Sequence, residues 1–334
     1  MSGTDCWMER RVFLGAVGIT LVGAWRSADA QEAGRSWRVG FLTGMTRPPD
    51  GGPPAPLRTA LQAAGFIDGK NLGYECRWAE AHNERLPALA AELIALHVDA
   101  IVTSGGPAAA AAKQATSTIP VIVVNGGDIA ETGLVSSLSR PGGNVTGIND
   151  PAAVLSAKRL EILKEVVPAI ARVAVLWNAG DNAMTLRYRQ IERAAQTLHL
   201  GIEPLGVREP DDFNAALEAM TRTPPDALMM VTDALTTLNR RRVIDYAAAH
   251  RIPAMYEFDS VVEAGGLMSY GSDPRESFGL AGEYVAKVLR GAKVGDLPVE
   301  QPNRYFLVVN LKTAKDLGLP IPQSVLVRAD RLIE

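Results

Sequence analysis

The residues of this chain best suited to chemistry stand at or directly after the ends of short apolar runs. In the first half they are Thr43, Gly44, Trp78, Ser104, Gly105, Gly106, Gly126 and Asp128. In the second half they are Asn178, Thr232, Asp233, Tyr256 and Glu257. Hydroxyl and free backbone N–H groups bind carboxylates, whereas Asp and Glu bind ammonium groups. The combination suits a small zwitterion, with Trp78 or Tyr256 available to an apolar side chain.

Apolar runs joined by helical segments predict parallel strands that would bring these residues together. The segment from Asp99 to Asp128 contains two apolar runs separated by an alanine-rich helix, which is the pattern of a βαβ unit. Ser104, Gly105 and Gly106 open that helix, so its N–H groups and dipole favour a carboxylate there by about 0.3–2 kcal/mol. A glycine-rich turn that only lets the helix pack closely is the alternative. In open parallel sheets, ligands bind beyond the carboxyl ends of the strands.

The second half of the chain repeats the order of apolar runs found in the first half. The matching segments are 38–42 with 172–176, 99–102 with 225–229, and 119–122 with 252–255. We therefore predict an α/β protein of two similar lobes, each a parallel sheet flanked by helices. Lobe 1 is expected to comprise residues 36–146 and about 272–334, and lobe 2 residues 147–271. If the lobes face each other, the strand ends of both line one cleft.

Size and composition are those of a soluble globular protein with more than one core. The chain has 334 residues, of which 47% are hydrophobic and 21% charged, which excludes the disordered and fibrous classes. Its net charge of −3 and the lack of a basic run argue against nucleic-acid binding. Removal of a leader through Ala30 leaves Cys76 as the one remaining cysteine, so we expect no internal disulfide.

Residues 1–30 have the pattern of a signal peptide. Arg10 and Arg11 precede an uncharged apolar stretch from Val12 to Trp25, and Ala28-Asp29-Ala30 has the small-x-small form of a cleavage site. The paired arginines are compatible with the twin-arginine route and with the general secretory (Sec) route. The apolar stretch is too short for a mature membrane-spanning helix. We therefore expect a periplasmic or secreted protein.

Signatures of enzymes and of bound cofactors are missing from the sequence. The histidines lie far apart, without the spacing of metal ligands. They are His82, His97, His199 and His250. Neither a G-x-S-x-G elbow nor a G-x-G-x-x-G fingerprint occurs, and we expect no cofactor, metal or catalytic residue. Two alternatives stay open: an enzyme that uses Asp128, Asp233 or Glu257, and a periplasmic sensor that reports its ligand to a receptor.

Six further segments carry a family pattern. They are GKNL at 69–72, RLPALAAEL at 85–93, AKQAT at 112–116, RPGGNVTG at 140–147, GGLMSYG at 265–271 and LPVEQP at 297–302. With them, the chain from Arg38 onward resembles the ABC-transporter substrate-binding proteins, in the branch typified by tryptophan- and tyrosine-binding members. The resemblance implies a type I periplasmic-binding fold with three crossings between the lobes. It also implies hinge closure on a small solute, often an aromatic or other amino acid, and delivery to an ABC permease. We expect a monomer.

Overall fold

The computed structural model describes residues 35–150 and 152–334, and the signal peptide predicted for residues 1–30 lies outside them. The elements of the N-terminal part are β1 (Trp37–Thr43), α1 (Ala55–Ala63), β2 (Leu72–Trp78), α2 (Leu86–Ala95), β3 (Ala100–Ser104), α3 (Gly106–Ala115), β4 (Val121–Val124) and β5 (Val145–Gly147). These strands form a fully parallel sheet in the order β2-β1-β3-β4-β5. This sheet is the centre of the first lobe.

A second sheet of seven strands is the centre of the second lobe. The elements that follow β5 are α4 (Ala152–Val166), β6 (Arg172–Asn178), α5 (Asn182–Thr197), β7 (Gly201–Val207), α6 (Asp212–Arg222), β8 (Ala227–Met230), α7 (Ala234–Leu238), α8 (Arg240–Ala249), β9 (Ala254–Tyr256), α9 (Asp259–Glu263) and β10 (Met268–Gly271). The C-terminal elements are α10 (Pro274–Leu289), β11 (Phe306–Asn310), α11 (Leu311–Leu317), α12 (Gln323–Arg328) and β12 (Arg331–Ile333). The strand order is β12-β11-β10-β9-β8-β6-β7, and β10 with β11 is its one antiparallel pair.

Helices cover both faces of each sheet, which explains why the central strands are apolar without alternation. All four residues of β4 and all four of β8 are buried. A strand covered on both faces reads as a continuous apolar run, because neither set of alternate side chains meets water. The predicted α/β fold of two lobes is confirmed.

Helix α10 returns from the second lobe and packs on the first sheet beside α1. Its residues Phe278 and Val285 share a core with Val39 and Leu57. A Cβ added to Gly282 would lie 2.9 Å from the carbonyl oxygen of Leu57, so glycine allows the two helices to approach closely. The segment from 274 onward therefore belongs to the first lobe through α10.

The C-terminal strands differ from the expected division of the chain. The sequence analysis assigned about 272–334 to the first lobe, but β11 pairs with β10, and β12 pairs with β11, in the second sheet. Leu307 and Val309 of β11 lie in the core of the second lobe, as does Val325 of α12. An apolar run fits the edge of either sheet. The assignment of residues 306–334 to lobe 1 was wrong because long-range pairing chose the second sheet.

The chain passes between the lobes three times: after β5, between β10 and α10, and before β11. The first and third crossings are tied together, since Asn149 N–H donates to the Glu300 carbonyl over 2.7 Å and Ile148 forms a parallel bridge with Glu300. These paired segments form the hinge side of the cleft. Within the part of the chain that the structure describes, no helix combines the length and apolarity needed to cross a membrane.

Candidate functional site

The carboxyl ends of strands from both sheets border a cavity of about 510 Å³. Thr43 and Ser104 line it from the first lobe, and Thr232 and Asp233 line it from the second. Ligands of open α/β sheets bind at this edge, and the volume lies in the range of small-molecule sites. The cavity is the candidate functional site.

Glycines of the first lobe lie directly against the second lobe. A Cβ added to Gly44 would lie 2.9 Å from the Cβ of Ala234, and one added to Gly127 would lie 2.8 Å from the Cβ of Ala183. Real Cβ atoms essentially never approach a neighbour that closely, so a larger residue at either position would force a shift. The structure therefore shows the cleft in a closed arrangement.

Aromatic side chains from both lobes border the cavity. Phe41, Trp78, Phe258 and Phe278 all line it. The ring centroids of Phe41 and Phe278 are 6.3 Å apart and the rings are tilted by 57°, which is within the range of favourable aromatic pairs. Arg47 places its guanidinium carbon 5.5 Å from the centroid of Trp78. We call these four rings the aromatic wall.

Asp181 caps helix α5 and is one of the residues that line the cavity. Its Oδ1 accepts the backbone N–H of Ala183 over 2.8 Å. Its Oδ2 is buried and has no hydrogen-bond partner among the described residues, and the whole residue is 3% exposed. Burial and the nearby charge of Asp233 raise the pKa of Asp181 to about 6. A cation in the cavity would stabilise the ionised form.

Asp233 caps helix α7 and lines the same cavity. It forms a capping box with Thr236, and its Oδ2 accepts from Asn178 Nδ2 over 2.6 Å. Burial raises the pKa of Asp233, although these hydrogen bonds oppose the shift. Asp181 and Asp233, which we call the carboxylate pair, thus place two acceptors of positive charge in one small volume.

Four buried charged residues, two on the cavity lining and two behind it, balance one another. Arg187 donates from Nη1 to Glu257 Oε2 over 2.6 Å and from Nη2 to Asp150 Oδ2 over 2.5 Å. Arg159 donates to Glu257 Oε1 over 2.9 Å and to the Tyr270 carbonyl over 2.6 Å. This charge network of Arg159, Arg187, Asp150 and Glu257 carries no net charge. Within residues 35–150 and 152–334, no three His, Cys, Asp or Glu side chains are grouped to hold a metal ion.

Four of the ten buried side-chain polar atoms that lack a partner among the described residues belong to residues that line the cavity. Within the described part of the chain they include Asp150 Oδ1, Asp181 Oδ2, Arg187 Nε and Thr232 Oγ1, and all four residues line the cavity. Buried polar atoms almost always have a partner, because an unpaired one keeps its full desolvation cost. These four atoms are potential hydrogen-bonding partners for a polar ligand.

Some of the residues predicted from the sequence as ligand contacts line this cavity. They are Thr43, Trp78, Ser104, Gly105, Thr232 and Asp233. Four come from the first sheet's strand ends or the loop that opens α3, and two follow shortly after β8. Adjacent parallel strands bring these segments together, as the sequence analysis expected.

Tyr256 and Glu257 do not line the cavity. Tyr256 is 1% exposed and packs with Leu228 and Val261 in the core of the second lobe, where burial raises its pKa. Glu257 is 3% exposed and belongs to the charge network. Successive side chains of a strand point to opposite faces, and both faces are covered here. The predicted direct contact with a ligand is therefore corrected for both residues.

Gly126 and Asp128 also lie off the cavity. A Cβ at Gly126 would meet Val123 at 2.6 Å, so this glycine is needed for close packing of the loop after β4. Asp128 uses Oδ1 to accept the N–H groups of Ala130 and Glu131, at 3.0 and 2.9 Å. Both residues shape the loop instead of facing a ligand.

Gly44, Gly106 and Asn178 lie next to the cavity without lining it. Gly44 lies against the second lobe, as described above. A Cβ at Gly106 would lie 3.3 Å from Asp181 Oδ1, so the start of α3 also meets the second lobe. Asn178 is 1% exposed and binds Asp233. The two glycines allow the lobes to approach each other, and Asn178 orients the carboxylate of Asp233.

Asp150, Asp181, Arg187 and the phenylalanines of the aromatic wall line the cavity but were not predicted from the sequence. Asp181 had a usable signal, because an Asp shortly after an apolar strand and directly before a helical segment is a typical N-cap. Arg187 had none, since it lies within α5 close to Arg189 and Arg193 and only the packing of that helix buries it.

Comparisons with known proteins agree with this geometry. A tyrosine-binding protein of Clostridioides difficile is 28% identical over 260 residues, which covers 78% of this chain and 74% of that protein. The ABC domain of a Streptococcus pneumoniae protein in complex with L-Trp is 26% identical, with a TM-score of 0.80 over 89% of this chain and 100% of that one. A conserved domain protein of Vibrio cholerae is 25% identical, with a TM-score of 0.83 and the same coverage.

A family model described as ABC transporter substrate binding protein matches residues 55–333. Proteins of this family are extracytoplasmic, bind small solutes and work with ABC permeases, and they are not enzymes. Because the match covers well over half of the sequence, and the two-lobed fold with its interlobe cavity agrees with it, this chain belongs to the family of ABC transporter substrate-binding proteins.

Proposed function

We propose that this protein binds an amino acid with an aromatic side chain and presents it to an ABC permease. The observation that carries the proposal is a cavity between the two lobes with the carboxylate pair and the aromatic wall both on its lining. The names of two relatives support it, since one is a tyrosine-binding protein and the other was crystallised with L-Trp.

The ammonium group of the solute is bound by the carboxylate pair. Asp181 Oδ2 is the buried acceptor without a partner, and Asp233 supplies a second acceptor. Hydrogen bonds between charged groups in a closed site are the strong kind, at about 1.5–3 kcal/mol each. Asn178, by holding Asp233, orients one of the two carboxylates.

The carboxylate of the solute is bound by neutral donors. Ser104 and Gly105 line the cavity directly before helix α3, and the hydroxyl groups of Thr43 and Thr232 are also on its lining. The N-terminus of α3 adds a favourable dipole, and its free backbone donors are the N–H groups of Gly106 and Ala108, since Gly105 N–H donates to the Val124 carbonyl and Pro107 has no N–H. The apolar part of the solute packs on the aromatic wall, with Trp78 as one contact.

Binding is coupled to closure because the contacts come from both lobes. Ser104 and Trp78 belong to the first lobe, whereas Asp181 and Asp233 belong to the second. A ligand that touches both lobes only when the cleft is closed shifts the balance toward the closed form. Micromolar affinity corresponds to about −8 kcal/mol, which a few charge-assisted bonds and apolar burial supply.

We also propose that the protein is exported and acts as a single chain. Residues 1–30 act as a signal peptide for the Sec or twin-arginine route and leave the protein in the periplasm or secreted. The protein works as a monomer, since the two lobes of one chain form the cavity between them and binding needs no second copy.

The test is isothermal titration calorimetry of the purified protein with L-tryptophan, L-tyrosine, L-phenylalanine and, for comparison, L-aspartate and D-glucose. We expect at least one aromatic amino acid to bind at micromolar or better affinity and to raise the melting temperature. Asp233→Asn, which retains the N-cap, should abolish that shift, whereas Asp211→Asn, at an exposed position of the same lobe, should leave it unchanged. Failure of all three aromatic amino acids to bind would refute the proposal.

A further inference from the structure

We infer that the ammonium group is the anchor of the solute and its carboxylate is dispensable, so the cavity also takes primary aromatic amines that carry no carboxylate. This inference rests on the proposed function and extends it to a second class of ligand. Three observations support it. The cavity contains carboxylate oxygens without a positively charged partner, its arginines are already paired with carboxylates, and its other hydrogen-bond donors are uncharged.

The acceptors for positive charge are buried and incompletely paired. Asp181 Oδ2 has no hydrogen-bond partner among the described residues. Asp150 Oδ1 also has none there, whereas Asp150 Oδ2 accepts from Arg187. Asp233 accepts only from neutral donors, Asn178 and Thr236. The carboxylate pair therefore has no cationic side chain bonded to it, and an ammonium group brought by the solute is its missing counter-ion.

The positively charged side chains that line the cavity are already paired with carboxylates of the protein. Both terminal nitrogens of Arg187 bind carboxylates of the charge network, which leaves only Nε. Arg58 pairs with Asp50 over 2.7 Å, and its side chain is 35% exposed. The lining of the cavity contains no other Lys or Arg within residues 35–150 and 152–334. A solute carboxylate thus meets no unpaired positive side chain.

The donors left for a carboxylate are neutral. They are the hydroxyl groups of Thr43, Ser104 and Thr232, the amide of Asn125 and the backbone at the start of α3. Water can also satisfy such donors, and a solute carboxylate would share the cavity with four aspartates, of which Asp50 is paired with Arg58. Its removal therefore relieves repulsion as well as breaking hydrogen bonds. Removal of the ammonium group leaves the carboxylate pair unpaired in a closed site.

The experiment compares three ligands of matched shape by calorimetry at pH 7.5: L-tryptophan, tryptamine and indole-3-propionate. A parallel series uses L-tyrosine, tyramine and 3-(4-hydroxyphenyl)propionate. We expect the amine to bind within about tenfold of the amino acid and the acid to bind at least about 100-fold more weakly, since only the acid leaves the carboxylates uncompensated. Asp181→Asn should weaken the amine at least as strongly as the amino acid, and Asp211→Asn should weaken neither.

The outcomes separate this inference from the proposed function. If the amino acid binds and the amine does not, or if the acid binds as well as the amine, the inference is overturned while the proposed function stands. If the amine binds and the amino acid does not, the inference is supported and the proposed amino-acid solute is wrong. If none of the six compounds binds, the inference is overturned, and the proposed function is wrong as well if L-phenylalanine also fails to bind.

Discussion

Arg187 donates a hydrogen bond to Glu257 over 2.6 Å, and both side chains are 3% exposed. The same arginine reaches Asp150 at the first crossing between the lobes, while Glu257 also accepts the backbone N–H of Thr232 over 3.2 Å. Glu257 therefore holds in place two residues that line the cavity, Arg187 and Thr232. Glu257 thus supports the site without lining the cavity.

Glu257→Gln should destabilise the fold strongly. The change leaves Arg159 and Arg187 with one carboxylate, Asp150, between them in a buried place. Removing one partner of a buried ion pair costs about 3–5 kcal/mol, because the other charge remains without compensation. Urea unfolding followed by circular dichroism measures the loss. Glu218→Gln, at an exposed position of the same lobe, is the matched control and should change the free energy of unfolding by less than about 0.5 kcal/mol.

Asp181→Asn should stabilise the unliganded protein at pH 7.5 while it weakens ligand binding. Because the pKa of Asp181 is raised from 3.8 to about 6, its contribution to stability is present below pH 3.8 and is lost as the pH rises through 6. A shift of that size corresponds to about 3 kcal/mol, and Asn, which does not titrate, avoids the loss. Asn is also a good N-cap for α5.

Urea unfolding of the wild type and of Asp181→Asn at several pH values tests this prediction. The stability advantage of the variant should shrink as the pH falls from 6 toward 4, because Asp181 of the wild type then becomes neutral in the folded protein. Asp211→Asn should show no such advantage. A variant that is less stable than the wild type at pH 7.5 would contradict the burial assigned to this carboxylate.

Gly44→Ala should weaken solute binding although Gly44 does not line the cavity. The added methyl group would lie 2.9 Å from the Cβ of Ala234, so it prevents full closure of the lobes. We expect about tenfold weaker binding, equivalent to about 1.4 kcal/mol. The double variant Gly44→Ala with Ala234→Gly removes the clash and should restore affinity. Equal weakening in the single and double variants would show that closure is not the cause.

Trp78→Ala and Tyr256→Phe should separate the two aromatic residues that the sequence analysis treated alike. Trp78 lines the cavity, whereas Tyr256 lies in the core of the second lobe. We expect Trp78→Ala to weaken binding of an aromatic solute at least about tenfold, since aromatic contacts add to apolar burial. Tyr256→Phe should leave the affinity within about twofold. Calorimetry with the same ligand measures both, and a large loss in Tyr256→Phe would contradict its place in the core.

Local patterns in the sequence determined the strands, their ends and thereby the edge at which the cavity lies. Runs such as Val121–Val124 are apolar throughout because a strand covered on both faces has no polar positions, and this signal needs no knowledge of the fold. Thr43, Ser104 and Asp233 could be predicted as cavity residues because a strand end is visible from local composition. The family pattern likewise depends on contiguous residues.

Only the tertiary structure decided which side chains face the cavity and which support it. Tyr256 and Glu257 stand at the end of a strand just as Thr43 does, but the packing of helices on the second sheet turns both away from the cavity. Arg187 becomes a buried part of the site through the docking of α5, and β11 joins the second sheet through pairing with β10. Those contacts join residues far apart in the chain. Their energies depend on geometry that no local pattern encodes.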